Sequence, residues 1–277
     1  MTSRKATGFV LLLALLATLA GGCERPAAPP AKVAAANSYL EAIAVELLGP
    51  GVPVDGLAAP GMCPGHFDIR PSQVQRLRAC RLLLRFDFQG ALDNKLSSLS
   101  DEGLQIAQIQ PSGGLAVPET YLAAAGQVAK ALVEAGLLKQ ADADARLGGI
   151  EARLSDLPRR VRAQLAKANL IGSTVVTSAH QEAFCRWLGL NVAGTFSGAD
   201  QASTSQLKQA FQAGKDSGAT LVIANRPEGR KAADALADRL AARVAIFDNF
   251  PDTSTGPACF DAMVEANVRT LVTGKTQ

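Results

Sequence analysis

Histidine is scarce in this chain: 277 residues contain only two, His66 and His180. A His-rich metal-trapping loop is excluded by that count alone. Aromatic side chains make up only 5% of the sequence, and the formal net charge is a near-balanced +3. The basic residues are scattered through helix-period stretches rather than clustered, so the electrostatic footprint of a nucleic-acid partner is missing and none is expected. No apolar run approaches the roughly 20 residues that a helix needs to span hydrocarbon. A nucleophile elbow, a P-loop and an HExxH helix are absent as well, which removes the usual motif-level grounds for assigning an enzyme.

What is present begins with an export signal. Arg4 and Lys5 precede an apolar run from Phe9 to Ala20, followed by Gly21, Gly22 and Cys23. Charged, apolar and small-residue regions in that order predict a secretory signal peptide over residues 1–22. A Cys directly after a small-residue cleavage site is similar to a bacterial lipobox, so Cys23 is expected to carry lipid and to anchor the chain at the membrane outside the cytoplasm. The alternative is an ordinary signal peptide with an incidental Cys. Residues 23–35 are rich in Pro and Ala and hold almost no large side chains. They bury too little apolar area to offset the entropy of ordering and read as a tether.

Beyond the tether, strand-like segments alternate with helix-period segments. Strands are expected at Arg81–Phe88, Leu104–Ile109, Ser173–Thr177, Thr220–Ala224 and Arg243–Phe247, with helices between them, the first at Ser38–Leu48. Such alternation predicts an α/β fold with mainly parallel sheets covered by helices on both faces. The segment 141–169 differs, being long and charged, with Leu147, Ile150, Leu154, Leu157, Val161 and Leu165 spaced three or four apart. That stripe predicts a connector helix between an N-terminal lobe at 36–140 and a C-terminal lobe at 170–277, with a kink or break at Pro158. No internal repeat of 20 to 50 residues is visible. Cys63, Cys80, Cys185 and Cys259 would lie in an oxidising compartment, where disulfides are allowed but not demanded, and a Cys63–Cys80 pair is one option.

The two histidines occupy informative places. His66 sits in the turn-forming loop Pro-Gly-Met-Cys-Pro-Gly-His-Phe-Asp-Ile-Arg-Pro-Ser, and His180 follows the strand STVVT and opens a helix. Both positions fit the rule that ligands bind just past the carboxyl ends of strands in open α/β sheets. The loop around His66 with Pro71 and Ser72 resembles the first-ligand loop of the periplasmic solute-binding proteins of zinc and manganese ABC importers. His180 with Phe184, Trp187, Gly189 and Leu190 is similar to that family's later His-x-x-Phe ligand segment, and VAIFD places Asp248 where the family has its last ligand. The resemblance covers nearly the whole chain beyond the tether. At the family's Asp-Pro-His-x-Trp-Leu stretch this chain has Val117, Pro118, Glu119, Thr120, Tyr121 and Leu122. The resemblance therefore implies a metal site of His66, Glu119, His180 and Asp248, with Glu119 replacing a His.

Two imidazoles and two carboxylates suit a divalent ion: Zn²⁺ in tetrahedral geometry, or Mn²⁺ or Fe²⁺ at higher coordination. The exchange of His for Glu shifts the balance toward Mn²⁺ or Fe²⁺. Cys63 stands three residues before His66 and could join the site, and Asp68 could orient the His66 ring. Where the family often carries a Glu after the strand TLVIA, this chain has Asn225, Arg226 and Pro227, so no orienting carboxylate is expected there. The resemblance implies a non-catalytic, monomeric carrier that captures its ion between two lobes and delivers it to an ABC permease. Two alternatives remain open at this point: a metal-dependent hydrolase using Glu119 as general base, and a relative without metal that serves as a surface interaction protein.

Overall fold

The computed structural model describes residues 31–59, 69–198 and 200–273. The expected signal peptide, Cys23, most of the tether, and Cys63, His66 and Asp68 lie outside these residues. Among the described residues the chain forms two four-stranded sheets. The first contains β1 (Val33–Ala35), β2 (Val54–Gly56), β3 (Leu82–Phe86) and β4 (Gln105–Ile109), and the second β5 (Thr174–Ser178), β6 (Asn191–Phe196), β7 (Leu221–Asn225) and β8 (Arg243–Phe247). Every pairing is parallel.

Strand order is β2-β1-β3-β4 in one sheet and β6-β5-β7-β8 in the other. The two are the same winding: each first strand crosses to an edge partner, and the next strand returns on its other side. The direction of winding thus reverses between β1 and β3 and again between β5 and β7, which is where open α/β sheets leave a crevice at their carboxyl ends.

Helices cover both sheets. In chain order they are α1 (Ser38–Leu48), α2 (Pro71–Leu77), α3 (Ala91–Lys95), α4 (Ser97–Asp101), α5 (Pro118–Glu134), α6 (Gln140–Lys167), α7 (Glu182–Trp187), α8 (Thr204–Asp216), α9 (Lys231–Leu240) and α10 (Cys259–Thr273). α1 starts where the sequence places it because the Asn37 side chain accepts a hydrogen bond from the Leu40 amide, 3.1 Å away, satisfying one of the free donors of the first turn. α6 is the expected connector. Ile150, Leu154, Leu157, Val161 and Leu165 are buried along one side, while Pro158 falls inside the helix without ending it. Proline at an interior position loses one backbone hydrogen bond; the five-residue apolar stripe outweighs that cost, since each buried Leu, Ile or Val contributes about 1.5–3 kcal/mol.

Val33–Ala35, read above as the end of the tether, is instead a buried strand between β2 and β3. Small side chains suffice there because both neighbours hydrogen-bond to it and α1 covers it. The core explains how the halves are joined. One apolar cluster includes residues of both sheets and the stripe of α6, among them Tyr39, Phe86, Tyr121, Leu154, Phe184, Phe247 and Phe260. The opposite face of each sheet has its own smaller cluster, around Leu83 and Leu99 in one and Val222 and Leu236 in the other. Tyr121 of the first half stacks on Phe260 of the second with ring centroids 4.1 Å apart.

An ionic brace lies beside that stack. Arg153 of α6 donates to Glu46 of α1 and to Asp261 of α10, and Arg160 reaches Asp261 at 3.2 Å and Glu265 at 3.0 Å. The Tyr121 hydroxyl donates to the other Glu46 oxygen at 2.6 Å. Both oxygens of Glu46 and both of Asp261 are therefore satisfied, as buried carboxylates require.

Candidate functional site

The carboxyl edge of the second sheet gathers most of the chemistry. β5 runs into a tight turn, Ala179–Gln181, in which the Ser178 hydroxyl accepts from the His180 amide at 3.2 Å. β7 runs into a similar turn, Arg226–Glu228, and β8 ends directly before Asp248. Because β5 and β7 are neighbours at the reversal of winding, His180 and Glu228 face each other across it. His180 Nδ1 lies 3.1 Å from Glu228 Oε1. A carboxylate can only accept, so in the neutral ring Nδ1 carries the proton and Nε2 keeps a free lone pair.

Glu228 is itself held from three sides. It accepts from the Ser178 hydroxyl, from the Gly198 amide at 3.1 Å and from His180. A Cβ at Gly198 would stand 2.7 Å from Glu228 Cβ, so only glycine leaves room for this approach. The Glu228 bond raises the His180 pKa, against burial that lowers it. Burial pushes Glu228 upward, but the bonds from His180 and Ser178 outweigh it and leave its pKa below the usual carboxylate range. The expectation of no orienting carboxylate after TLVIA is thus corrected: the acid is present, three residues beyond the strand. Its signal in the sequence was the Arg-Pro-Glu run, whose proline and short turn bring the third residue back over the strand end.

Asp248 has a different neighbour. Arg226 Nε donates to its Oδ2, while Oδ1 is buried and meets no hydrogen-bond donor among the described residues. Its backbone is clamped from α10, since Asn267 Oδ1 accepts from the Asp248 amide at 2.8 Å and Asn267 Nδ2 donates to the Asp248 carbonyl at 2.9 Å. Burial pushes the Asp248 carboxyl up, and the Arg226 charge pulls it back.

Beneath these groups sits a buried amide cluster. Gln181 Nε2 donates to Asn225 Oδ1 at 3.0 Å and also to Asn249 Oδ1. All three amides are buried, and each is the sequence neighbour of a side chain at the edge: Gln181 of His180, Asn225 of Arg226, Asn249 of Asp248. The two protons of a single NH₂ group therefore tie the ends of β5, β7 and β8 together. The first sheet carries a counterpart across its own reversal, where Asn37 Nδ2 donates to Gln89 Oε1 at 3.1 Å.

Glu119 stands in the first turn of α5, exposed, with Oε1 3.4 Å from Trp187 Nε1 of α7. It thus reaches the helix that His180 precedes, where it accepts from the Trp187 indole. The loop before α5 also closes on α7: a Cβ on Gly114 would lie 2.9 Å from Ala183 Cβ. Among the described residues no three His, Cys, Asp or Glu side chains are grouped as a metal site. His66, the remaining implied donor, lies outside them. Among the described residues Cys80, Cys185 and Cys259 are free and buried, and the Cys63–Cys80 option falls on Cys63, outside them. Burial pushes the thiol of Cys80 up to about 11 and those of Cys185 and Cys259 up to about 12, which keeps them protonated and unreactive at neutral pH.

Two parallel sheets of identical winding, joined by a 28-residue helix and a shared core, with polar side chains collected at strand ends, define a bilobed solute-binding architecture. The chain belongs to the ZnuA family, described as the zinc-uptake complex component A, periplasmic, whose model matches residues 33–274. Solved structures agree in fold. A zinc-bound deletion mutant of ZnuA superposes with a TM-score of 0.70 at 16% identity, covering 90% of this chain and 99% of that one. The solute-binding protein FpvC from Pseudomonas aeruginosa in complex with Mn²⁺ gives 0.71 at 12% identity, covering 89% and 98%. The Mn-bound periplasmic metal-binding protein from Candidatus Liberibacter asiaticus gives 0.72 at 12% identity, covering 87% and 98%. No curated protein sequence matches the chain. No described helix is long and apolar enough to cross a membrane.

Proposed function

We propose that this protein captures a divalent transition metal, Zn²⁺, Mn²⁺ or Fe²⁺, outside the cytoplasm and hands it to an ABC permease, acting as a monomeric, non-catalytic carrier lipid-anchored through Cys23. His66 and Glu119 would contribute from the first lobe (36–140), and His180 and Asp248 from the second (170–277). The observation that carries this reading is the His180–Glu228 pair. A neutral imidazole held through Nδ1 by a carboxylate, with Nε2 free, is the arrangement in which metal-ligating histidines are oriented and made more basic. Family membership and the position of the pair at the reversal of winding support the same conclusion. The shared core and the Arg153 brace favour release by a small separation of the lobes rather than a wide hinge opening.

The test is a titration of metal-stripped protein with Zn²⁺ and Mn²⁺, read as thermal stabilisation. A cation that binds only the folded state raises stability with the logarithm of its concentration over Kd. Wild type is expected to show a clear shift, and His180→Ala to lose most of it. An equal shift in the two proteins contradicts the assignment of His180. The occupation of Asp248 by Arg226 gives one specific ground for a second reading, a relative without metal acting as a surface interaction protein. That reading predicts no shift with either ion in wild type.

A further inference from the structure

The two lobes are held together in two different ways. At the seam, Arg153 and Arg160 make ion pairs; at the carboxyl edges, neutral donors cross from the second lobe to glutamates of the first. Thr253 Oγ1, in the tight turn Thr253–Thr255 after β8, donates to Glu41 Oε1 in the first turn of α1, 3.1 Å away and 212 positions apart. Trp187 Nε1 of α7 reaches Glu119, in the first turn of α5, at 3.4 Å. Glu41 can lie where it does because β2 ends in Gly56: a Cβ there would stand 2.8 Å from Glu41 Cδ. The Glu41 carboxylate is also set among like charges. Burial raises its pKa, the Thr253 hydroxyl lowers it, and Asp55 and Asp252 raise it again. Asp55 is paired with Arg76 at 2.9 Å, whereas Asp252 is the sequence neighbour of Thr253. The hydroxyl thus holds Glu41 against the repulsion of the residue beside it.

We propose that the Glu41–Thr253 bond is an interlobe latch: it straps segment 249–255 of the second lobe onto the first, and its opening is the step that lets the carboxyl edges part. The path from the latch to the edge is short and stiff. Asn249 is tied to Gln181, Phe250 and Pro251 are buried, and Asp252 fixes the turn by accepting from the Ser254 amide at 3.0 Å and the Ser254 hydroxyl at 2.7 Å. Pro251 has one backbone angle locked by its ring, so a displacement of Thr253 is carried to Asn249 and to its neighbour Asp248 rather than absorbed between them. A contact closed by one neutral donor and opposed by a like charge suits an element with two arrangements, whereas the ion-paired seam suits one that stays closed. That the latch controls ion release rests on the carrier reading above; that it holds the lobes together does not.

Two variants open the latch by different routes. Thr253→Val removes the hydroxyl and keeps the branched shape. Gly56→Ala displaces the Glu41 carboxylate without truncating it, and its backbone lies outside the left-handed region, so alanine is accommodated. Ser254→Ala is the control, since it loosens the same turn without touching Glu41. The first measurement is amide hydrogen exchange over 249–255 in the metal-free full chain. Both latch variants are expected to exchange about three- to tenfold faster than wild type, the range for loss of one partly solvated hydrogen bond. The second is the rate at which Zn²⁺-loaded protein gives up its ion to excess chelator, with the same acceleration expected in the latch variants and none in Ser254→Ala. Unchanged exchange in both latch variants overturns the latch. Faster exchange with unchanged Zn²⁺ release, or equal acceleration of release by Ser254→Ala, overturns its control of release and leaves the carrier reading in place. Wild type that binds no Zn²⁺ removes control of Zn²⁺ release, and the exchange measurement alone then decides the latch.

Discussion

Two arginines sit on carboxylates in this molecule, and their surroundings are opposite. At the seam between the halves, Arg153 is one-quarter exposed and bridges Glu46 and Asp261, whose side chains are 8% and 9% exposed and have every oxygen bonded. At the edge of the second sheet, Arg226 is 42% exposed and one Asp248 oxygen has no donor among the described residues. A buried, fully satisfied pair is costly to break because either partner alone becomes an unpaired buried charge. An exposed, half-satisfied pair contributes little to stability and is free to exchange partners. The seam is built to hold and the edge to be re-bonded.

The comparison breaks most visibly at the seam. Arg153→Met leaves Glu46 and Asp261 without their shared cation, and is expected to destabilise the protein by about 3 kcal/mol, toward the lower end for broken buried pairs since Arg160 still reaches Asp261. For a chain of this size that is a fall in melting temperature of about 5–10 °C. Metal affinity should stay within a few-fold of wild type, measured by chelator-competition titration with Zn²⁺. A Gln181→Leu exchange comes next. It strips Asn225 and Asn249 of their donor and is expected to cost about 1–3 kcal/mol, the penalty for leaving buried polar groups unpaired. Unlike the seam variant it should also weaken metal binding, because the ends of β5, β7 and β8 lose their common tie. Gln181→Leu that melts lower yet binds as wild type would show the amide cluster to be purely structural. The smallest effect on stability is expected for Arg226→Ala, within about 1 kcal/mol of wild type in the metal-free form, as for other exposed pairs.

Most of the architecture was legible in the sequence. The short apolar runs RLLLRFDF, TLVIA and RVAIF became β3, β7 and β8, and the three-and-four spacing from Leu147 to Leu165 became the buried stripe of α6. What escaped was short or made of small residues. Val33–Ala35 has no bulky β-branched run to announce a strand and is one only because β2 and β3 flank it. Pro158 suggested a break because local sequence carries the cost of a missing amide but not the packing that outweighs it. The common winding of the two sheets left no repeat in sequence, since topology constrains the order of elements and not their side chains.

The site was legible as residue types and not as partnerships. His180, Glu119 and Asp248 were singled out, yet the pairing of Glu228 with His180 and of Arg226 with Asp248 depends on which strands are neighbours. The reach of a tight turn mattered equally, because Arg226–Glu228 folds its third residue back over β7. Glu228 lies 48 positions from His180, and the spacing of residues alone cannot predict that meeting.

X-ray absorption at the zinc K-edge of the Zn²⁺-loaded protein examines the donor set without relying on any variant. The account predicts one bound ion with light-atom donors at about 2.0–2.1 Å and the outer-shell scattering of two imidazole rings, those of His66 and His180. A spectrum lacking imidazole scattering, or dominated by sulfur near about 2.3 Å, would contradict it.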